Sequence, residues 1–279
     1  MLRRFLERTF RSPPVELEER ASDPAPGEPI AAIAARYERY SRTPMTDAIS
    51  RHDDMYSRRE AGAMNHYMHV GRSAIQVIAS ALVATEKTDV RSILDLPCGA
   101  GRVTRHLRAF FPEAEIFVSD LNKNKERFVV NKFGATAIKS DSNFSGEPER
   151  TYDLIFAGSL VTHFDEPRFV GAVDWFVRAL SSGGILVLTT HGRRHEYTQL
   201  NVRQYIDAEI WSAASADFAA RGFGYVAYPG QDYGLSVTKP SWLMRLVEQR
   251  PGVRIVAFHE AAWDYHQDVL VLQKRSLCG

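Results

Sequence analysis

The chain has 279 residues, 44% hydrophobic and 25% charged, enough apolar material for one large domain or one domain with an appendage. A formal net charge of +1 excludes the global basic field that draws nucleic acid. Two cysteines far apart, Cys98 and Cys278, exclude a disulfide framework and a CxxC zinc site, and no uninterrupted run of 18 apolar residues offers a membrane-spanning helix.

The chain opens on MLRRFLERTFR, where charges break any signal-peptide core. Leu2, Phe5, Leu6 and Phe10 fall near one helical face, with Arg3, Arg4, Arg8 and Arg11 elsewhere. Such a helix can lie on an anionic membrane surface or simply dock on its own protein. Residues 12–29 are rich in proline and acid and read as a linker, so residues 1–29 form a basic amphipathic segment and its tether. The expected location is cytoplasmic, with peripheral membrane contact through this segment as the alternative to docking on the protein. Residues 30–88 read as a helical cap, because HVGRSAIQVIASALVAT carries Ile75, Ile78, Ala79 and Leu82 at helical spacing.

From residue 89 to 279 the pattern alternates. VRSILDL, EIFVSD, ATAIKS, YDLIFAGS and GGILVLTTH read as strands, and GRVTRHLRAFF, KERFVVNKF and PRFVGAVDWFVRAL as helices between them. The strands are continuous apolar runs, as a parallel sheet buried on both faces requires. Residues 192–245 form a long insertion with helical pieces such as VRQYIDAEIWSAASADFAARG. VRIVAFHE and DVLVLQK then close the sheet as an antiparallel pair.

In such a sheet ligands sit beyond the carboxyl ends of the strands. ILDLPCGAGR is the first such end, with Gly99 and Gly101 letting a ligand approach the backbone. A dinucleotide loop expects a third glycine where Thr104 stands. Asp95, just before the glycines, would repel a pyrophosphate and tolerate a cation. S-adenosylmethionine (SAM) carries an ammonium, a sulfonium and no phosphate, so Asp95 favours SAM over NAD. Asp120 ends the second strand, where a carboxylate accepts ribose hydroxyls, and Asp141 follows the third, where adenine would lie. Each acid alone also suits a helix cap or a turn. Pro97, Leu121, Ser142, Gly158 and Ser159 complete the expected ligand-contacting set.

Taken together, LDLPCGAGR, SDLN, SDSNF, YDLIFAGSLVTHF and GGILVLTT resemble the motif series of class I SAM-dependent methyltransferases over roughly residues 90–191. More narrowly, LPCGAGRVTRHL, GSLVTHF, TTHG, QDYGLS and WDYHQDV resemble a bacterial group of small methyltransferases associated with glycan or glycolipid assembly. The resemblance implies a Rossmann-like α/β fold with a mostly parallel seven-stranded sheet and an antiparallel last strand. It also implies SAM as methyl donor and S-adenosylhomocysteine as product. Cys98 departs from the small residues common at that position and is expected to be buried packing rather than a nucleophile.

Transfer to an oxygen of a small molecule or glycan would gain from a general base. His163 follows the fourth strand and His191 the fifth, with His195 one turn on; His266 in WDYHQDV reads as structural. In the insertion, GFGYVAYPGQDYGLS supplies glycines for flexibility and Tyr225, Tyr228 and Tyr233 for stacking on an acceptor. Tyr56, Tyr67 or Arg72 of the cap could close the pocket, with Arg72 meeting the ligand carboxylate. Asp53–Asp54 has no matching ligands, so no metal is expected. The rival readings are an NAD-dependent oxidoreductase and a SAM-binding scaffold without turnover. A nucleic-acid methyltransferase is disfavoured by the neutral charge, and the oligomeric state is left open.

Overall fold

Alternate residues of each central strand point to opposite faces, and both faces are covered. The computed structural model describes residues 27–57, 60–139 and 141–275. The amphipathic segment expected at the N-terminus lies almost wholly outside them. The described core is seven strands: β1 (Ser92–Asp95), β2 (Glu115–Val118), β3 (Thr136–Ala137), β4 (Tyr152–Ala157), β5 (Leu180–Thr190), β8 (Val253–Trp263) and β9 (Gln267–Lys274). Their order across the sheet is β3-β2-β1-β4-β5-β9-β8, and β9 runs antiparallel to both its neighbours. This is the expected Rossmann-like sheet with an antiparallel last strand.

Ile93, Phe156 and Val187 face one core cluster, and their neighbours Leu94, Ile155 and Leu188 face the other. That two-sided burial explains why these strands read as unbroken apolar runs. The first face is covered by the cap helices α1 (Glu28–Arg42) and α2 (Ala63–Thr85), with α3 (Thr104–Phe110) and α4 (Lys123–Phe133). Ile75, Ile78 and Leu82 of α2 are wholly buried, so the cap is part of the core rather than an appendage. Gly71 permits the close approach: a Cβ there would sit 2.1 Å from the His106 ring and 2.6 Å from the Arg102 carbonyl oxygen. The second face is covered by α5 (Glu166–Ala179) and α8 (Pro240–Glu248).

Local chemistry sets the helix ends. Asn122 caps α4 through the N–H groups of Asn124 and Lys125, and Gly134 closes it at φ 62°. Asp165 caps α5 through the Arg168 N–H, with a proline in the first turn.

Between β5 and β8 the insertion holds α6 (Arg193–Asn201), α7 (Ala208–Arg221) and a separate hairpin, β6 (Phe223–Ala227) with β7 (Gly234–Thr238). The sequence reading missed this hairpin and ran one helix through residues 202–207. There the Gln199 side chain accepts from the Tyr205 and Ile206 N–H groups and donates to the Ile206 carbonyl, which ends the helical path. Two glycines of the hairpin strands are not hinges. A Cβ on Gly224 would lie 2.0 Å from the Ala214 carbonyl oxygen, and one on Gly234 would lie 2.0 Å from that of Val226. They are sites of close packing. Among the described residues no helix is long and apolar enough to cross a membrane.

Candidate active site

Strand order reverses between β1 and β4, and a cavity of about 350 Å³ opens at the carboxyl ends there. Pro97, Asp120, Leu121, Asp141, Ser142, Ser159, His163 and Tyr233, all expected from sequence, line it. Its apolar walls include Ile138, Phe144, Phe164 and Trp175, a lining suited to a flat ring.

The glycine loop is built around left-handed backbone. Gly99 has φ 52° and Gly101 φ 82°. A Cβ on Gly101 would strike Phe133 at 2.4 Å, whereas a Cβ on Gly99 would meet nothing within 4 Å. Neither glycine lines the cavity, although both were expected to contact the ligand. The Gly99 N–H donates to Asp120 Oδ2 at 2.9 Å, and the Asn122 N–H donates to Oδ1 at 2.7 Å. Asp120 thereby ties the β1 loop to the end of β2. Desolvation raises its pKa, opposed by those N–H groups and by Lys125.

Asp95 differs from its expected role. It is 1% exposed, does not line the cavity, and accepts the Thr104 hydroxyl at 2.6 Å. Burial pushes its pKa up to about 7, opposed by the Thr104 bond and reinforced by Asp120. Asp141 does line the cavity but acts as a turn former, accepting from the N–H groups of Asn143, Ser145 and Gly146. Those bonds, Asn143 foremost, lower its pKa. Gly158 serves packing: a Cβ there would press on Phe156 at 2.4 Å and Trp263 at 3.0 Å. Cys98 is buried and free, as expected for packing.

The side of the cavity that holds His163 is organised by β7. The Gly234 carbonyl accepts from His163 Nδ1 at 2.8 Å, and the Ser236 carbonyl from His191 Nδ1 at 3.2 Å. Two residues on, the Thr238 N–H donates to the His191 carbonyl at 2.8 Å. One hairpin strand therefore holds both histidines at two-residue spacing. A carbonyl can only accept, so the proton of His163 sits on Nδ1 and Nε2 keeps its lone pair. Burial lowers its pKa, so the ring is neutral at neutral pH. Tyr228 and Tyr233 flank the ring at 6.2 and 6.1 Å between centroids. Tyr225 instead packs against the core face under α5 and α8.

His191, the second expected base, does not reach the cavity. It is 5% exposed and stacks on His195 with ring centroids 3.8 Å apart. Burial lowers the pKa of His191, His195 and His266 alike, and at His191 the neighbouring histidines lower it further. The cap residues also lie elsewhere. Tyr67 is buried, with its hydroxyl donating to Asp53 at 2.7 Å, and Arg72 is exposed. Asp54 pairs with Lys125.

Sequence reading did not single out Arg168 or Gln267. Arg168 lines the cavity beside Tyr233 and donates to the Asp232 carbonyl at 3.0 Å. Its only sequence signal is its place three residues after the Asp165 cap. Gln267 donates to Ser159 Oγ and accepts from Thr189, bracing the end of β4 against β5.

The sequence pattern of a methyltransferase domain family matches residues 64–228, more than half of the chain. Trans-aconitate 2-methyltransferase of Methylobacterium radiotolerans is 27% identical over 151 residues, covering 52% of this chain and 55% of that protein. Malonyl-[acyl-carrier protein] O-methyltransferase of Halalkalibacterium halodurans is 30% identical over 132 residues, covering 42% of this chain and 47% of that one. The chain thus spans about half the length of the curated relatives it matches. In fold it is similar to a sugar N-methyltransferase of a Streptoalloteichus species, with TM-score 0.54, 18% identity, and coverage of 84% of this chain and 97% of the other.

Proposed function

The chain belongs to the methyltransferase domain family, whose members its motifs resemble as SAM-dependent enzymes, and from that premise we propose that it methylates an oxygen of a small-molecule or glycan acceptor. The observation that carries this reading is that Asp120 and His163 line one cavity. Residues suited to an adenosine and a residue suited to an acceptor proton therefore face the same space.

The residues present fit SAM. Asp120 in the cavity wall offers a carboxylate to the ribose hydroxyls, and Phe144 with Ile138 offers an apolar slot to the adenine. When bound, SAM supplies a methyl on a sulfonium, and transfer breaks the S–C bond, forms an O–C bond and leaves S-adenosylhomocysteine. The chain's part is largely to hold the acceptor in line, which accounts for most of the acceleration in such displacements. His163 Nε2 receives the acceptor's hydroxyl proton, a contribution of roughly 10²–10⁴-fold. Tyr233 offers a face to the acceptor, and Arg168, ion-paired with Asp232 at 3.7 Å in the same wall, offers a cation to an acidic group that displaces or shares that pairing. The trans-aconitate enzyme acts on an acid, which agrees with a cation in that wall.

The experiment is methyl transfer from labelled SAM into a fractionated extract, with identification of the labelled product. A product methylated on oxygen supports the reading. Binding of S-adenosylhomocysteine with no transfer to any fraction would make the chain a scaffold. Stabilisation by NAD and not by SAM would make it an oxidoreductase.

A further inference from the structure

A second group of side chains lies beside the cavity and is not used by the proposed transfer. His191 directly follows β5, His195 sits in the first turn of α6, and His266 lies in the turn between β8 and β9. One ring nitrogen from each lies within 4.8 Å of the other two. His191 and His195 stack face to face, with centroids 3.8 Å and planes 11° apart, so sharing one ion requires one of the two rings to turn out of the stack; His266 stands at a steep angle to both, at 5.4 and 5.1 Å.

His195 Nδ1 stands 3.3 Å from His266 Nε2. Two nitrogens bound at about 2.0–2.1 Å on a tetrahedral ion stand about 3.3–3.4 Å apart. His191 Nδ1 is occupied by the Ser236 carbonyl, which directs its Nε2 lone pair elsewhere. That is how a ligating histidine is ordinarily oriented by its surroundings. His195 is 1% exposed; Nδ1 is the nitrogen that faces His266, and the other ring nitrogen, Nε2, has no hydrogen-bond partner. Asp268, also buried, has an unpartnered Oδ2 lying against Gly192, the residue after His191.

We propose that His191, His195 and His266 bind one divalent transition-metal ion of the zinc class, which clamps β5, α6 and the β8–β9 turn together on the acceptor side. An all-imidazole donor set suits zinc and its neighbours and is foreign to magnesium and calcium, which take oxygen. The site departs from the expectation of no metal because its ligands are separated in sequence and meet only in the fold. It does not depend on the methyl-transfer reading, and its test contains no methyl transfer.

The test is a Co²⁺ titration of the untagged full chain after chelator treatment, read by visible absorption and repeated with Zn²⁺ in competition. The expected result is saturation at one equivalent, with the band erased by Zn²⁺. His266→Ala, at a half-buried position, abolishes the band while the metal-free variant keeps a cooperative melting transition. The double variant His66→Ala/His69→Ala, which removes two exposed histidines, leaves the stoichiometry unchanged. No saturable binding in the wild-type chain overturns the proposal whatever the variants do. A band that survives His266→Ala, or vanishes in the surface double variant, overturns it as well.

Discussion

The two ends of the cavity are built by different means. At the donor end, Pro97, Asp120, Leu121, Asp141 and Ser142 come from loops that directly follow β1, β2 and β3. At the acceptor end, His163 owes its orientation to Gly234, 71 residues away on the hairpin of the insertion. The first end follows from local strand–loop order. The second exists only once a distant strand is laid across the ends of β4 and β5. The donor end should therefore answer to changes in single loops, and the acceptor end to anything that moves β7.

The largest expected effect lies at the acceptor end. His163→Ala lowers kcat by roughly 10²–10⁴-fold and leaves affinity for S-adenosylhomocysteine within a few-fold, as steady-state kinetics and calorimetry would read. Equal losses in both would break the comparison. Next, Asp120→Ala removes a charged acceptor from the donor end and weakens S-adenosylhomocysteine by about 10–100-fold, from roughly 1.5–3 kcal/mol per charged hydrogen bond. Gly101→Ala combines a left-handed backbone with a 2.4 Å clash on Phe133. It should lower stability in denaturant melts by about 1–3 kcal/mol, while Gly99→Ala, whose Cβ meets open space, disturbs ligand binding more than packing.

A smaller effect concerns pH. The folded pKa of Asp95, about 7, lies above its ordinary 3.8. Native Asp95 keeps a proton that the unfolded chain releases. Its contribution to stability is full below about pH 4 and is lost as pH rises toward 7. Asp95→Asn should flatten that decline in chemical melts of the ligand-free chain across this window.

The sequence made the sheet legible because two-sided burial leaves unbroken apolar runs, and it made the donor end legible because acids and glycines follow strands at once. It misplaced Asp95, since nothing local says that Thr104, one turn into the loop–helix junction, takes up the carboxylate. It expected Asp141 to meet the ligand, with a turn as the alternative, and the carboxylate makes the turn at the cavity wall. The hairpin was hidden because glycine and tyrosine in GFGYVAYPGQDYGLS look like a loop. Gly224 and Gly234 are required there by neighbouring carbonyls that no local pattern reveals. The histidine cluster was hidden for the same reason, His266 being 71 residues from His195.

The most direct test of the two-ended cavity is calorimetric titration of S-adenosylhomocysteine and of NAD into the wild-type chain, Asp120→Ala and His163→Ala. The account predicts that the wild type and His163→Ala bind S-adenosylhomocysteine alike, that Asp120→Ala binds it far more weakly, and that none binds NAD. Binding of NAD in place of S-adenosylhomocysteine, or a loss in His163→Ala as large as in Asp120→Ala, would contradict it.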